Sequence, residues 1–191
     1  MSEPNYSERF LYNLVGIEPP GVDPQVVYEA IRRKGLIPQE MLPMTNTLQE
    51  FKTPRPMSQD FLDKAKKFKE EFYFDHDWVL TGTPNPEKLR YALKQSPVAV
   101  SVTAWFEENG LFLDRGVPNN HWCVLYKMDD EFYYVFDSYD HSEKKLPLSH
   151  NISYAKRIVL YKKTAKKTAK QNWILDISTS IIRGIIGLIM R

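Results

Sequence analysis

The chain has 191 residues, 42% of them hydrophobic and 26% charged, with a formal net charge of +2 at pH 7. That is ample apolar material for one packed domain plus an appendage, and too little net charge for a dedicated nucleic-acid binder. A single cysteine, Cys123, excludes an intramolecular disulfide framework and a Cys-rich metal site.

The opening Ser2-Glu3-Pro4-Asn5 is polar and acidic rather than a basic-then-apolar leader, so a cytoplasmic location is the expectation. Ser7 marks a helix start, followed by Phe10, Leu11 and Leu14 at the spacing of one helical face. Two prolines and two glycines in the stretch from Gly16 to Gly21 predict a loop. Asp23-Pro24 then combines a cap with a first-turn proline, Val27, Ala30 and Ile31 line one face, and Gly35 ends the helix. A third helix is expected from Ser58, with Phe61, Leu62, Ala65 and Phe68 inward and Lys64, Lys66, Lys67, Glu70 and Glu71 solvated. Asn85-Pro86 repeats the cap-plus-proline device and opens a short helix that buries Leu89, Ala92 and Leu93.

From Pro97 the period becomes extended. Val98–Thr103 is rich in β-formers, His121–Lys127 and Phe132–Asp137 are joined by the polar Met128-Asp129-Asp130-Glu131, and Ala155–Tyr161 closes the folded part. Helices first and strands second predict an α+β domain. Asp75-His76-Asp77-Trp78 superficially suggests a metal cluster. Consecutive residues of a strand alternate faces and cannot converge, so a solvated loop is expected and no metal or cofactor site. His141 and His150 stand alone in polar surroundings.

The chemistry concentrates in Asn120-His121 and, after one strand and one turn, Asp137-Ser138-Tyr139. A histidine titrates near neutrality and can take and return a proton, and a carboxylate within hydrogen-bond reach fixes which ring nitrogen does so. As an isolated pair these residues read first as a buried structural histidine and a turn cap. The collinear set says more. Ser7-Glu8 with Phe10-Leu11, Gly21 through Gly35 followed by Glu40-Met41-Leu42-Pro43, Ala92-Leu93 with Pro97-Val98-Ala99-Val100, and then His121 and Asp137-Ser138-Tyr139 together resemble the papain-like cysteine peptidases over residues 6–161.

That resemblance implies a two-lobed α+β fold, a helical lobe followed by an antiparallel β lobe, and peptide-bond hydrolysis through a thiolate. His121 would be base and acid, and Asp137 its orienter in place of the family's asparagine. A charged orienter would favour the imidazolium form more strongly than an amide does. The family's nucleophile, its oxyanion-hole glutamine and its central helix should lie before Ser7, where six residues cannot hold them. The expectation is therefore an N-terminally truncated domain over 1–161 that lacks the catalytic cysteine and is inactive alone, with a peptide or protein substrate: either a truncated product or a half completed in trans by a complementary N-terminal fragment. Cys123 does not fill the gap. It lies two residues past His121 on one strand face, about 7 Å away and turned to the core.

Residues 162–172 read as a basic linker and 173–191 as an amphipathic helix. Ile174, Leu175, Ile177, Ile181, Ile182, Ile185, Ile186, Leu188 and Ile189 share one half of that helix, opposite Asp176, Arg183, Gly184 and Gly187. Asp176 and Arg183 argue against a spanning segment, which leaves a membrane surface, self-association through 173–190, or the domain's own groove as the cover. The other class of function is thus a pseudoenzyme, a non-catalytic papain-fold binding module recruited to a membrane surface or a protein partner.

Overall fold

Local side-chain chemistry starts the helices where the sequence places them. In the computed structural model, which describes residues 5–16, 22–138 and 140–163, Ser7 Oγ accepts from Phe10 N–H at the head of α1 (Glu8–Val15). Asp23 caps α2 (Pro24–Lys34), Thr47 caps α3 (Leu48–Lys52), Ser58 caps α4 (Gln59–Glu71) and Asn85 caps α5 (Pro86–Leu93). Each cap satisfies a backbone N–H that the first helical turn leaves without a partner, worth about 1 kcal/mol apiece. Most of the basic linker and all of the amphipathic helix 173–191 lie outside the described residues, as do Tyr139 and the loop residues 17–21.

The chain divides into two compact units, one of residues up to Asp75 together with those from Val159, the other His76–Ile158. In the first, Phe10, Ile37, Leu42 and Ala65 form the buried centre, with Leu14, Met41, Met57 and Phe61 packed against it. Tyr6 meets Phe68 edge-on at 5.4 Å, and Ser7 N–H donates to Ile37 O at 2.9 Å, tying the N-terminal segment to the chain after α2. Gly35 is required where α2 ends: its φ is +88°, and a Cβ there would stand 2.0 Å from the Ala65 carbonyl oxygen of α4. Leu62 differs from expectation. It is 40% exposed, because Phe61, Ala65 and Phe68 form the i, i+4, i+7 seam and Leu62 sits one step further round toward solvent.

The large sheet has the order β1-β8-β2-β5-β6-β7, comprising β1 (Phe72–Thr81), β2 (Val98–Val102), β5 (His121–Met128), β6 (Phe132–Phe136), β7 (Glu143–Pro147) and β8 (Tyr154–Lys162), and the second unit holds β2, β5, β6 and β7 whole. A small hairpin, β3 (Glu107–Glu108) with β4 (Leu111–Phe112), forms a separate two-stranded sheet whose Phe112 packs against the large sheet's core. β2 pairs antiparallel with both β5 and β8, and all five of its residues are buried, which is why it reads as a continuous apolar run rather than an alternation. Val98, Val100, Cys123, Leu125, Tyr133, Val135 and Leu146 belong to one core with Leu89 and Ala92 of α5, while Leu93 is half-buried against it. Asp129 sets the β5–β6 turn by accepting from Glu131 and Phe132 N–H groups, and these bonds with that of the Tyr134 hydroxyl hold its carboxyl below the usual range.

Residues 75–78 are not a loop. They lie within β1, between the β-formers Phe72-Tyr73-Phe74 and Val79-Leu80, and the charge that argued for solvent is answered in the sheet. Arg157 on the neighbouring β8 donates from Nε and Nη2 to the two Asp77 carboxylate oxygens, at 3.0 and 2.5 Å. Among the described residues no helix is long and apolar enough to cross a membrane.

Candidate active site

The loop entering β5 is pinned before the histidine appears. Asn119 donates from Nδ2 to Ser101 O and to Ser153 Oγ, at 3.0 and 3.2 Å, and Asn120 Oδ1 accepts from Ala104 N–H at 2.9 Å. His121 then opens β5 opposite Val102. Asp137 follows directly on β6, its own N–H donating to Ser142 O at 2.9 Å. Because β5 and β6 are hydrogen-bonded neighbours, the start of one and the end of the next bring both side chains to one place.

There His121 Nε2 lies 2.8 Å from Asp137 Oδ1, with the two side chains 2% and 1% exposed. The carboxylate puts the ring proton on Nε2 and makes Nδ1 the basic nitrogen. The second oxygen is also taken, since Trp105 Nε1–H donates to Asp137 Oδ2 at 2.7 Å and the indole stands edge-on to the imidazole at 5.3 Å. Lys144 Nζ lies 3.5 Å from the same Oδ2 and donates to Asp140 Oδ2 at 2.5 Å and to Ser142 Oγ at 2.8 Å. Hydrogen bonds from Lys144 and Ser142 hold the Asp140 carboxyl below its usual range.

The sequence supplies His121 and Asp137 and misses Trp105 and Lys144. Trp105 follows a strand with no motif around it. Lys144 leaves a faint trace: in Glu143-Lys144-Lys145-Leu146-Pro147 it shares the face of Leu146, and both are buried.

Cys123 sits on the same strand face as His121, opposite Val100, fully buried. Burial, with the Asp137 charge adding to it, pushes its thiol well above the ordinary value. A protonated core thiol is not an attacking group.

His150 is a second buried histidine and not the solitary polar one that its neighbours suggest. Thr103 N–H donates to its Nε2 at 3.3 Å and its Nδ1 faces the Phe112 carbonyl oxygen at 3.2 Å. Burial lowers its pKa, partly opposed by Asp114.

No group of three His, Cys, Asp or Glu among the described residues is placed to hold a metal ion. A surface pocket of about 460 Å³ beside α5, lined by Trp78, Lys88, Tyr91 and the paired Asp77 and Arg157, contains none of the candidate residues.

No protein-family model matches the sequence, and no curated protein matches it. Among solved structures the chain is similar to bromelain from Ananas comosus, a papain-family cysteine protease solved with the inhibitor E64, with a TM-score of 0.59 and 16% identity over 83% of this chain and 78% of bromelain. At that identity the likeness establishes a distant papain-like fold of helices and antiparallel sheet and nothing finer.

Proposed function

We propose that this chain carries the proton-transfer half of a papain-like cysteine peptidase centre, with His121 as base and acid, Asp137 as its orienter, and a thiol other than Cys123 as nucleophile. The observation that supports it is the 2.8 Å contact between two polar side chains set at facing strand ends of a papain-like fold. In the reaction Nδ1 of His121 takes the proton of the thiol. The thiolate attacks a peptide carbonyl, the imidazolium returns the proton to the departing amine, and water then releases the acyl group by the same route. The substrate is a peptide or protein.

The test separates the two halves of the proposal. The 191-residue chain alone should show no thiol-dependent hydrolysis of an unfolded protein, and iodoacetamide should not label Cys123 faster than in a denatured control. Mixed with a chain that supplies a reactive cysteine, it should hydrolyse peptides, and His121→Ala should abolish that rate. Activity indifferent to His121→Ala would end the proposal, and rapid labelling of Cys123 that His121→Ala removes would make Cys123 the nucleophile.

The burial of the pair favours a second reading, a papain-fold binding module without catalysis. Its recruiting element would be residues 173–190, through an anionic membrane surface or a protein partner. Deleting 172–191 should then release the chain from anionic vesicles or from its partner. Unchanged vesicle binding, oligomeric state and melting temperature would remove this alternative.

A further inference from the structure

An ammonium group that is 3% exposed needs a reason to be inside, and Lys144 is such a group. Its Nζ stands over the faces of Trp105 and Phe112, 5.2 and 5.0 Å from their centroids, between the carboxylates of Asp137 and Asp140. Asp140 does not supply the reason, because at 55% side-chain exposure water already solvates it and it needs no buried cation. Asp137 does. It is 1% exposed, and its carboxyl stands at the position from which a histidine is oriented.

The division of labour on that carboxylate is lopsided. Oδ1 faces His121, whereas Oδ2 receives the indole N–H of Trp105 and lies within 3.5 Å of the lysine. An uncompensated carboxylate would hold its histidine as imidazolium, and a neutral amide would orient it without that bias. We propose that Lys144 is a positioning residue whose ammonium offsets the charge of Asp137, so that the carboxylate orients His121 much as an amide would. This rests on reading His121 and Asp137 as the proton-transfer pair. Among the described residues, charged or titratable groups around the imidazole include Asp137 after β6, Lys144 on β7, Asp140 in the turn between them and the thiol of Cys123 on its own strand.

The readout is the ring-proton NMR titration of His121 in the full chain, assigned by its loss in His121→Gln. In Lys144→Met the titration midpoint should rise by about one pH unit relative to the parent, the size that a neighbouring charge commonly imposes. Lys144→Arg keeps the charge and should leave the midpoint near the parent's. Adding Asp137→Asn to Lys144→Met should bring it back down. If Lys144→Met loses its folded circular dichroism, Lys144→Gln is read by the same criterion. A midpoint that stays put when the charge is removed, or that rises as much in Lys144→Arg, overturns the proposal. The titration needs no nucleophile, so failure to find hydrolysis leaves it standing, and a flat titration leaves the hydrolysis test standing.

Discussion

The β unit holds two buried histidines whose surroundings differ in kind. His150, in the turn before β8, has both ring nitrogens against backbone groups, Thr103 N–H and Phe112 O. His121, at the head of β5, has Nε2 against a carboxylate that is itself held by an indole and a lysine. A backbone partner fixes a tautomer once and has no charge state to follow. A side-chain carboxylate partner orients the ring in both of its protonation states, which suits that histidine to moving a proton. Burial alone does not separate the two, since their relative exposures are 2% and 1%. The partner's chemistry does.

The largest expected effect tests that distinction. In an assembly that supplies the thiol, His121→Ala should lower kcat/KM by about a thousandfold or more, while folded His150→Ala should stay within about threefold of the parent. Equal losses from both variants would show that the two histidines act through the fold rather than through proton transfer.

Stability should show the opposite order of surprise. Asp137→Ala takes from the buried Lys144 its buried counter-charge, leaving it Asp140 and Ser142, and removes the acceptor of His121 and Trp105; it should cost about 3 kcal/mol in chemical denaturation, whereas Asp137→Asn keeps a hydrogen-bonding side chain and should cost less. His150→Ala should cost about 2 kcal/mol, from two lost buried hydrogen bonds and the space left by the ring. If Asp137→Ala were neutral, the charged cluster around it would not be coupled as its distances indicate.

What could be read beforehand followed the range of the interaction. Ser7, Asp23, Ser58 and Asn85 act on backbone within three residues of themselves, and the helices begin where those residues stand. The β5–β6 hairpin and the His121–Asp137 pair were legible because a short connection forces adjacency. Trp105 reaches Asp137 across 32 positions, and Arg157 answers Asp77 across 80, so the charges that suggested a loop at 75–78 had partners no local window contains. β7 carries no strand signal in its composition, because two of its five residues are adjacent lysines, one of which faces inward. His150 had the same difficulty. Its backbone partners lie 47 and 38 residues away, and its own neighbours are polar.

The smallest effect sharpens the comparison most. Burial holds the folded pKa of His150 below its ordinary value, with Asp114 and the Phe112 carbonyl opposing in part. In the unfolded chain it titrates near about 6.5. Between the lowered folded pKa and the unfolded one, the unfolded state binds more protons, so stability rises with pH there. The contribution of neutral His150 is fully present above the unfolded value and is lost as pH falls through the folded one. The denaturation midpoint of the parent should therefore fall on going from pH 7.5 to pH 5. His150→Gln, which keeps a donor and an acceptor but cannot titrate, should flatten that slope, with the remaining histidines unchanged. If the slope survives in His150→Gln, another group carries the pH dependence, and the backbone-locked histidine is not the silent structural partner that its two hydrogen bonds describe.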